Sequence, residues 1–490
     1  MTEMAPEHAE VADLSHTPVR DFTLRSAFAL AFSDVSPIVG IYSVFAIGLA
    51  TAGPAFFWGF PIVLIGQLAV TGVFGDLVSK WPFQGSVYQW ARELFGARYG
   101  WFANWAYSWG LTLALATVAL FAAEFFAPAI GLNSLTGVET SLLAFGILIF
   151  GSIANMIGSK FLRGLLYVSM TAELIASLGI GIALLFFNRT HPFSYLFESG
   201  GTAHGSTWLF GPFLAIVAII GFSFVGFESA GSIAEEVKGA RRVLPIAISL
   251  SLLTCGLLVM FATLGLILSL PDLAAVLAGR DTNPIATTLE TQLGSGTGRA
   301  LLVMLTIGFT ASMIAVQAAV SRAIWASARA RELPGHRLLS RLSGAERLPR
   351  HVIALTCVVA GALAFIQNVN ANAITLLLSG ATAGFFMSYA LPVVGSAITR
   401  LRGRWVPGPV SMGKVAAAVT YFAAIWMIAE IINIAWPRDF YGGVWYLNWG
   451  IILAIAALGV IGGIVSAYVF RPGSDASSAR FDPVVSALGA

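Results

Sequence analysis

The feature that most constrains this chain is a series of twelve apolar runs, each long enough to cross a bilayer as a helix. A spanning helix needs about 20 apolar residues. Runs of that kind fall near 26–50, 54–79, 99–126, 139–157, 161–187, 210–237, 244–269, 298–328, 352–369, 371–398, 413–435 and 449–470. In lipid the backbone must satisfy its own hydrogen bonds, which restricts runs of this length to helices. Composition agrees, with 57% hydrophobic and only 10% charged residues in 490; a soluble globular chain carries about 25% charged residues. The expected fold class is an all-α integral membrane protein of about twelve transmembrane helices. Runs nine and ten nearly touch, with Asn368, Asn370 and Asn372 marking a short polar turn.

Several function classes lose support at once. Cys255 and Cys357 both sit inside apolar runs, so no disulfide framework is expected. The six histidines lie in the N-terminal tail or in predicted loops, and no pair has metal-ligand spacing on a helix face. No metal, no cofactor and no catalytic set is therefore expected, and the chain does not read as an enzyme. The first 25 residues, with Glu3, Glu7, Glu10 and Asp13, lack the basic start and apolar core of a cleaved signal peptide. The first run is expected to act as an uncleaved signal anchor.

Orientation follows from the positive-inside rule. With the N-terminus placed in the cytoplasm, 27 Lys and Arg are distributed so that only Arg189, Arg280, Arg299 and Arg438 fall outside. A miscount of one helix would scramble this split. It supports an even number of spans and cytoplasmic termini, with tails at 1–25 and 471–490; the expected location is the cell (inner or plasma) membrane. The basic residues follow membrane topology rather than forming a patch, which argues against nucleic-acid binding. The expected partners are a small-molecule substrate and the lipid bilayer; the oligomeric state is left open.

Two runs carry interruptions. The first contains Ser33-Asp34-Val35-Ser36-Pro37-Ile38-Val39-Gly40 at mid-membrane depth, and the sixth contains Gly221-Phe222-Ser223-Phe224-Val225-Gly226-Phe227-Glu228-Ser229-Ala230-Gly231. They are five helices apart, and each embeds a carboxylate. Matched interruptions in two halves point to a transporter site built on inverted repeats. Unwound backbone is tolerated at that depth only where it is buried in protein or lines a cavity. The bland alternative is a pair of kinks in packed helices.

Four motifs in order carry a family resemblance. They are Asp76-Leu77-Val78-Ser79-Lys80-Trp81-Pro82 with Gly85-Ser86-Val87-Tyr88-Gln89-Trp90; Gly226-Phe227-Glu228-Ser229-Ala230 with Glu235-Glu236-Val237-Lys238 and Pro245; Ser321-Arg322 through Ala328-Arg329 with Leu333-Pro334; and Arg404-Trp405-Val406-Pro407-Gly408-Pro409. On these motifs the chain resembles the amino acid–polyamine–organocation (APC) superfamily of permeases, in its amino acid/choline branch, across roughly 20–470. The first motif is similar to the end of the family's second helix and its amphipathic inner loop, the third to the loop after helix eight. The resemblance implies a five-plus-five inverted-repeat core of the LeuT type with helices one and six broken. That gives repeats at about 26–187 and 210–398 within a core of 26–398, and peripheral helices at 399–470. It also implies alternating access and a cargo of amino acids or amines, often moved with protons.

The site residues follow from the breaks and the resemblance. A broken helix exposes N–H and C=O groups, suiting a carboxylate at one half-helix end and an ammonium at the other. Gly40 matches the family glycine whose amide meets the carboxylate. Pro37, Ile38 and Val39 depart from the family's glycine-rich pattern; Val39 either only packs or leaves room for an amine or ω-amino acid, and Ser36 offers a hydroxyl from another angle. Phe222, beside Ser223 and Gly226, matches the aromatic that covers the substrate, where a cation–π contact is available; the alternative is a core Phe. Tyr107 matches a site-facing position, or is a core aromatic. Three acids are candidates for the coupling proton or cation, because a carboxylate at the bilayer centre is expensive. Glu228 matches a family proton site, with hydrogen bonding to unwound backbone as the alternative. Asp34 precedes the first break. Glu173 stands in a helix where some relatives carry a lysine, and either binds Na⁺ or carries a proton; for both acids a neutral packing contact is the alternative. Glu124 and Glu430 read as interfacial at outer helix ends. Glu235 and Glu236 read as solvated near Lys238 and Arg241, and Arg322 with the arginines after it as orientation and headgroup charges. The leading functional expectation is a secondary transporter of amino acids or related amines with H⁺ coupling. A Na⁺ symporter, an exchanger and a non-transporting solute sensor are the alternatives.

Overall fold

The computed structural model describes residues 22–132, 135–343, 348–368, 373–438 and 444–471. Most of the two expected tails, and the polar turn at Asn370 and Asn372, lie outside the described residues. Twelve helices are long and apolar enough to cross a membrane. They are α1 (Leu24–Tyr42), α2 (Pro54–Lys80), α3 (Ala97–Ala129), α4 (Gly137–Ile157), α5 (Tyr167–Phe187), α6 (Gly205–Ser232), α7 (Ala240–Leu268), α8 (Ser295–Arg329), α9 (Arg350–Asn368), α10 (Ala373–Leu401), α11 (Gly413–Ala435) and α12 (Gly450–Val469). The protein is therefore a multi-pass membrane protein, and β structure among the described residues is limited to isolated bridges at Phe22–Val237 and Ser343–Leu348. The twelve spans match the twelve runs in order, with ends that differ by up to eight residues.

Three local expectations are corrected. The stretch from Ser321 to Arg329, expected as a loop, forms the last turns of α8. Its alanines at 323, 326 and 328 are strong helix formers, and a 35-residue helix is about 52 Å long, well beyond a hydrocarbon core of about 30 Å. His351 and His336 sit on helices, His351 in the first turn of α9 and His336 on a short helix at His336–Leu339. The inner segment after α2, expected as an amphipathic inner loop, forms an amphipathic helix, Val87–Phe95, with Val87, Tyr88, Trp90 and Ala91 buried.

Helix α3 is the axis of the core and α12 is at its margin: 83% of the best apolar window of α3 is buried, against 17% for α12. Helix α3 packs on α8 and α10. Its approach to α10 is very close at Gly110 and Gly384, where a Cβ on Gly110 would lie 2.9 Å from the Phe385 amide nitrogen and 3.0 Å from the Gly384 carbonyl carbon. Small residues let membrane helices meet backbone to backbone. This crossing brings Tyr107, one turn from Gly110, beside the Phe385–Tyr389 turn of α10, with the Tyr107 and Phe385 rings edge to face at 5.9 Å. Helix α7 packs on α1 and α2 and closes the other side of the breaks.

Candidate functional site

In α1 regular helix ends at Val35, and Ser36 takes φ 48, ψ 107 before Pro37 starts the second half. Proline suits that position, because its fixed φ is helical and it has no N–H to leave unpaired. The Ser36 conformation costs of the order of 1–3 kcal/mol and must be held by its surroundings. It is held by two bonds. Its hydroxyl accepts from the Val39 amide at 3.3 Å and donates to Glu173 Oε2 at 2.7 Å. The other oxygen of Glu173 accepts from Ser169 Oγ at 2.7 Å, one turn away on α5. Glu173 is wholly buried.

The break is narrower than the interrupted sequence suggests. Gly40 is helical, and its amide donates to the Ser36 carbonyl at 2.8 Å, so this N–H is spent within the chain rather than offered to a ligand carboxylate. The glycine serves close approach instead. A Cβ there would stand 3.1 Å from Val259 Cγ2 and 3.2 Å from the Ser223 carbonyl oxygen, and Ser223 Oγ donates to the Gly40 carbonyl at 2.6 Å.

In α6 the α-helix ends at Ile220, a 3₁₀ turn covers Gly221–Phe224, Val225 is extended, and a short helix resumes at Ser229–Ser232. Gly226 has φ 98, and a Cβ there would lie 3.0 Å from the carbonyl carbon of Asp34 and 3.1 Å from its oxygen. The two breaks thus cross where only a glycine fits. The Gly226 amide donates to Tyr389 Oη at 3.0 Å. Glu228 is wholly buried, and its carboxylate accepts from Tyr107 Oη at 2.6 Å and from Tyr389 Oη. Its carbonyl accepts from Ser86 Oγ at 3.0 Å. One carboxylate therefore joins α3, α6 and α10.

The structure brings together Tyr107, Glu228 and Gly226, joins Ser36, Val39 and Glu173, and ties Ser223 to Gly40. Phe222 is buried on the 3₁₀ turn of α6. Asp34 is buried at the crossing, and its Oδ2 has no hydrogen-bond partner, nor do the nearby chain positions Ser33 Oγ and Ser229 Oγ. Among the described residues, hydroxyls rather than Lys or Arg bond to Glu173 and Glu228. A buried carboxylate needs a counter-charge, a bound cation or a proton. An ionised Glu228 accepts from both phenols; once protonated it has a hydroxyl to donate, and one phenol must reorient. The same holds for Glu173 between its two serines.

Sequence reasoning missed Tyr389, Ser169 and Ser86. The available signal for Tyr389 was a phenol in an apolar run, since a buried tyrosine hydroxyl finds a partner. Three acids also change place. Glu430 is buried and accepts from Asn433 Nδ2 at 3.3 Å, because α11 turns that face onto α6 rather than to the interface. Glu235 and Glu236 are half-buried and accept from the Gln84 amide at 3.2 Å and Nε2 at 3.0 Å, so they fasten the exit of α6 to the segment after α2. A second inner tie joins Arg92 to Glu332 at 3.1 Å, with Tyr88 Oη donating to Glu332 at 2.9 Å. Burial raises the Glu332 carboxyl above its ordinary range, while Arg92 and Tyr88 oppose that shift.

Comparison with known proteins places this geometry. The chain is 25% identical to an uncharacterized amino-acid permease of Schizosaccharomyces pombe, over 89% of this chain and 81% of that protein. It is 23% identical to a choline transporter of Saccharomyces cerevisiae, covering 89% and 79%. It is 24% identical to a GABA-specific permease of the same yeast, covering 86% and 77%. The family model described as amino acid permease matches residues 22–462, which spans both breaks and all four motifs. Twelve apolar spans, two broken helices crossing at Gly226 and a match over nearly the whole chain lead to one assignment: the chain belongs to the amino acid permease family, a carrier rather than an enzyme.

Proposed function

We propose that the protein is a secondary transporter of amino acids or related organic amines, working by alternating access around the α1–α6 crossing and coupled to protons. The plasma membrane, with both termini in the cytoplasm, is its proposed setting. The observation that carries the reading is Glu228, a buried carboxylate in the α6 break held by phenols from α3 and α10. A proton arriving there changes which groups accept and which donate, and so changes how α6 is held to its neighbours. The names of the yeast relatives support the cargo class, one being a choline transporter and one a GABA-specific permease. A cargo ammonium suits a region with three buried acids, and Phe222 offers a ring face beside the break.

Uptake of radiolabelled amino acids and amines into proteoliposomes under an imposed pH gradient tests the proposal. Saturable uptake that follows the proton gradient is expected, and no such uptake across a broad panel overturns it. One observation favours a second reading of the coupling ion. Glu173 lies at the α1 break and takes two hydroxyl bonds, so it supplies oxygen ligands of the kind Na⁺ accepts. Uptake that follows a Na⁺ gradient and ignores pH would favour that reading.

A further inference from the structure

A half-helix holds a cargo carboxylate by its first amides, the groups that no intrahelical bond satisfies. At the α1 break these groups are already engaged. Pro37 has no N–H, and residues 33–40 hold no Lys or Arg. The Ile38 amide faces the Glu173 carboxyl. The Val39 amide donates to Ser36 Oγ at 3.3 Å, and the Gly40 amide donates to the Ser36 carbonyl at 2.8 Å. The Ser36 hydroxyl is spent in turn on Glu173 at 2.7 Å. Glu173, reaching in from α5, thus puts its own carboxyl where a cargo carboxylate would sit. A second one would find no free donor in that turn and an acid already in place.

Two residues before Ser36 the situation is reversed. Asp34 is only 7% exposed, and its Oδ2 has no hydrogen-bond partner among the described residues. Ser33 Oγ and Ser229 Oγ are buried without partners as well. The charged neighbour of Asp34 across the crossing is another acid, Glu228, and residues 221–231 hold no Lys or Arg. A buried carboxyl left without a partner is costly. An ammonium supplies both the donors and the counter-charge. We propose that the site selects a cargo that carries an ammonium and lacks a carboxylate, an organic amine rather than an amino acid, with Asp34 holding the ammonium and Glu173 closing the anion subsite of α1. The inference rests on the transport reading above and narrows its cargo class. It leaves the coupling proton with Glu228.

The test is equilibrium binding, by isothermal titration calorimetry on the full-length protein in detergent. The probes are matched pairs that differ in whether they carry a carboxylate: agmatine and arginine, cadaverine and lysine, tyramine and tyrosine, choline and glycine betaine. In each pair that binds, the amine is expected to bind about ten-fold tighter or more. Asp34→Asn, which keeps the shape and removes the charge, is expected to weaken amine binding about ten-fold. Glu173→Ala, which frees the α1 amides, is expected to shrink the preference within a pair. Equal or tighter binding of the carboxylated member by wild-type protein overturns the inference. So does unaltered amine binding by Asp34→Asn, or an undiminished preference in Glu173→Ala. The wild-type comparison needs no variant, so it is decisive even where a substitution prevents folding. Binding of the carboxylated members alone would leave the carrier reading intact, whereas no binding by any pair and no uptake across the wider panel overturns both.

Discussion

At the residue scale the proposed carrier turns on how Glu228 is held. Its carboxylate accepts from Tyr107 and Tyr389, and Tyr389 in turn accepts from the Gly226 amide. Hydrogen bonds to a charged group contribute about 1.5–3 kcal/mol, which is roughly ten- to hundred-fold in a rate or binding constant. Tyr389→Phe removes the donor to Glu228 and the acceptor for Gly226 together. It is expected to lower the ratio of maximal uptake rate to KM by about ten-fold or more, measured in proteoliposomes. Wild-type uptake by that variant would mean the phenol only fills space. Glu228→Gln keeps the shape and abolishes titration. Its uptake is expected to lose the pH dependence of the wild type, and an unchanged pH profile would remove Glu228 from the proton path. The sequence singled out Glu228 and Tyr107 but could not pair them, because 121 residues separate them and only the Gly110–Gly384 crossing brings them into reach.

At the element scale the two breaks are legible in sequence and their pairing is not. Asp34, Pro37 and Gly40 in one run, and Gly221 through Gly231 in another, mark interruptions because each puts a charge or a helix breaker at membrane depth. What the pattern does not reveal is how much unwinds. In α1 only Ser36 leaves the helix, because Pro37 restarts it and the Ser36 hydroxyl caps the new turn. The partner on Ser36 is Glu173, 137 residues away, and its use as a helix-break anchor is invisible in a hydropathy pattern. Gly226→Val tests the crossing. The position has φ 98, which costs a side chain about 1–2 kcal/mol, and a Cβ would already press on the Asp34 carbonyl at 3.1 Å. Loss of uptake and a lowered Tm in detergent are expected; normal values of both would show that α1 and α6 are not in tight contact there. Glu173→Ala releases Ser36 and Ser169 without touching the Glu228 cluster. It is expected to alter ion dependence while cargo binding survives, as read by thermal shift with and without ligand. Loss of binding alone would place Glu173 against the cargo.

At the scale of the whole molecule, the charge distribution and the packing make independent statements about sidedness. The positive-inside count predicts a cytoplasmic side for the segments after α2, α4, α6, α8 and α10. Packing groups several of the same segments: Gln84 after α2 bonds Glu235 and Glu236 after α6, Arg92 after α2 bonds Glu332 after α8, and Asp76 at the end of α2 bonds Arg400 at the end of α10. On the opposite side Trp208 at the start of α6 donates to the Ala52 carbonyl after α1, and Trp58 at the start of α2 donates to the Leu196 carbonyl after α5. One face thus carries the ion pairs between these segments, and the basic count predicts that this face is the inner one. The two native cysteines, Cys255 and Cys357, are buried, so an introduced thiol is read against a low background. His204→Cys and Ser411→Cys place single thiols at exposed positions on the two faces. In intact cells a membrane-impermeant maleimide is expected to label His204→Cys at once, and Ser411→Cys only after permeabilisation. Labelling in the opposite order would invert the proposed orientation and put the Arg92–Glu332 tie on the outer face.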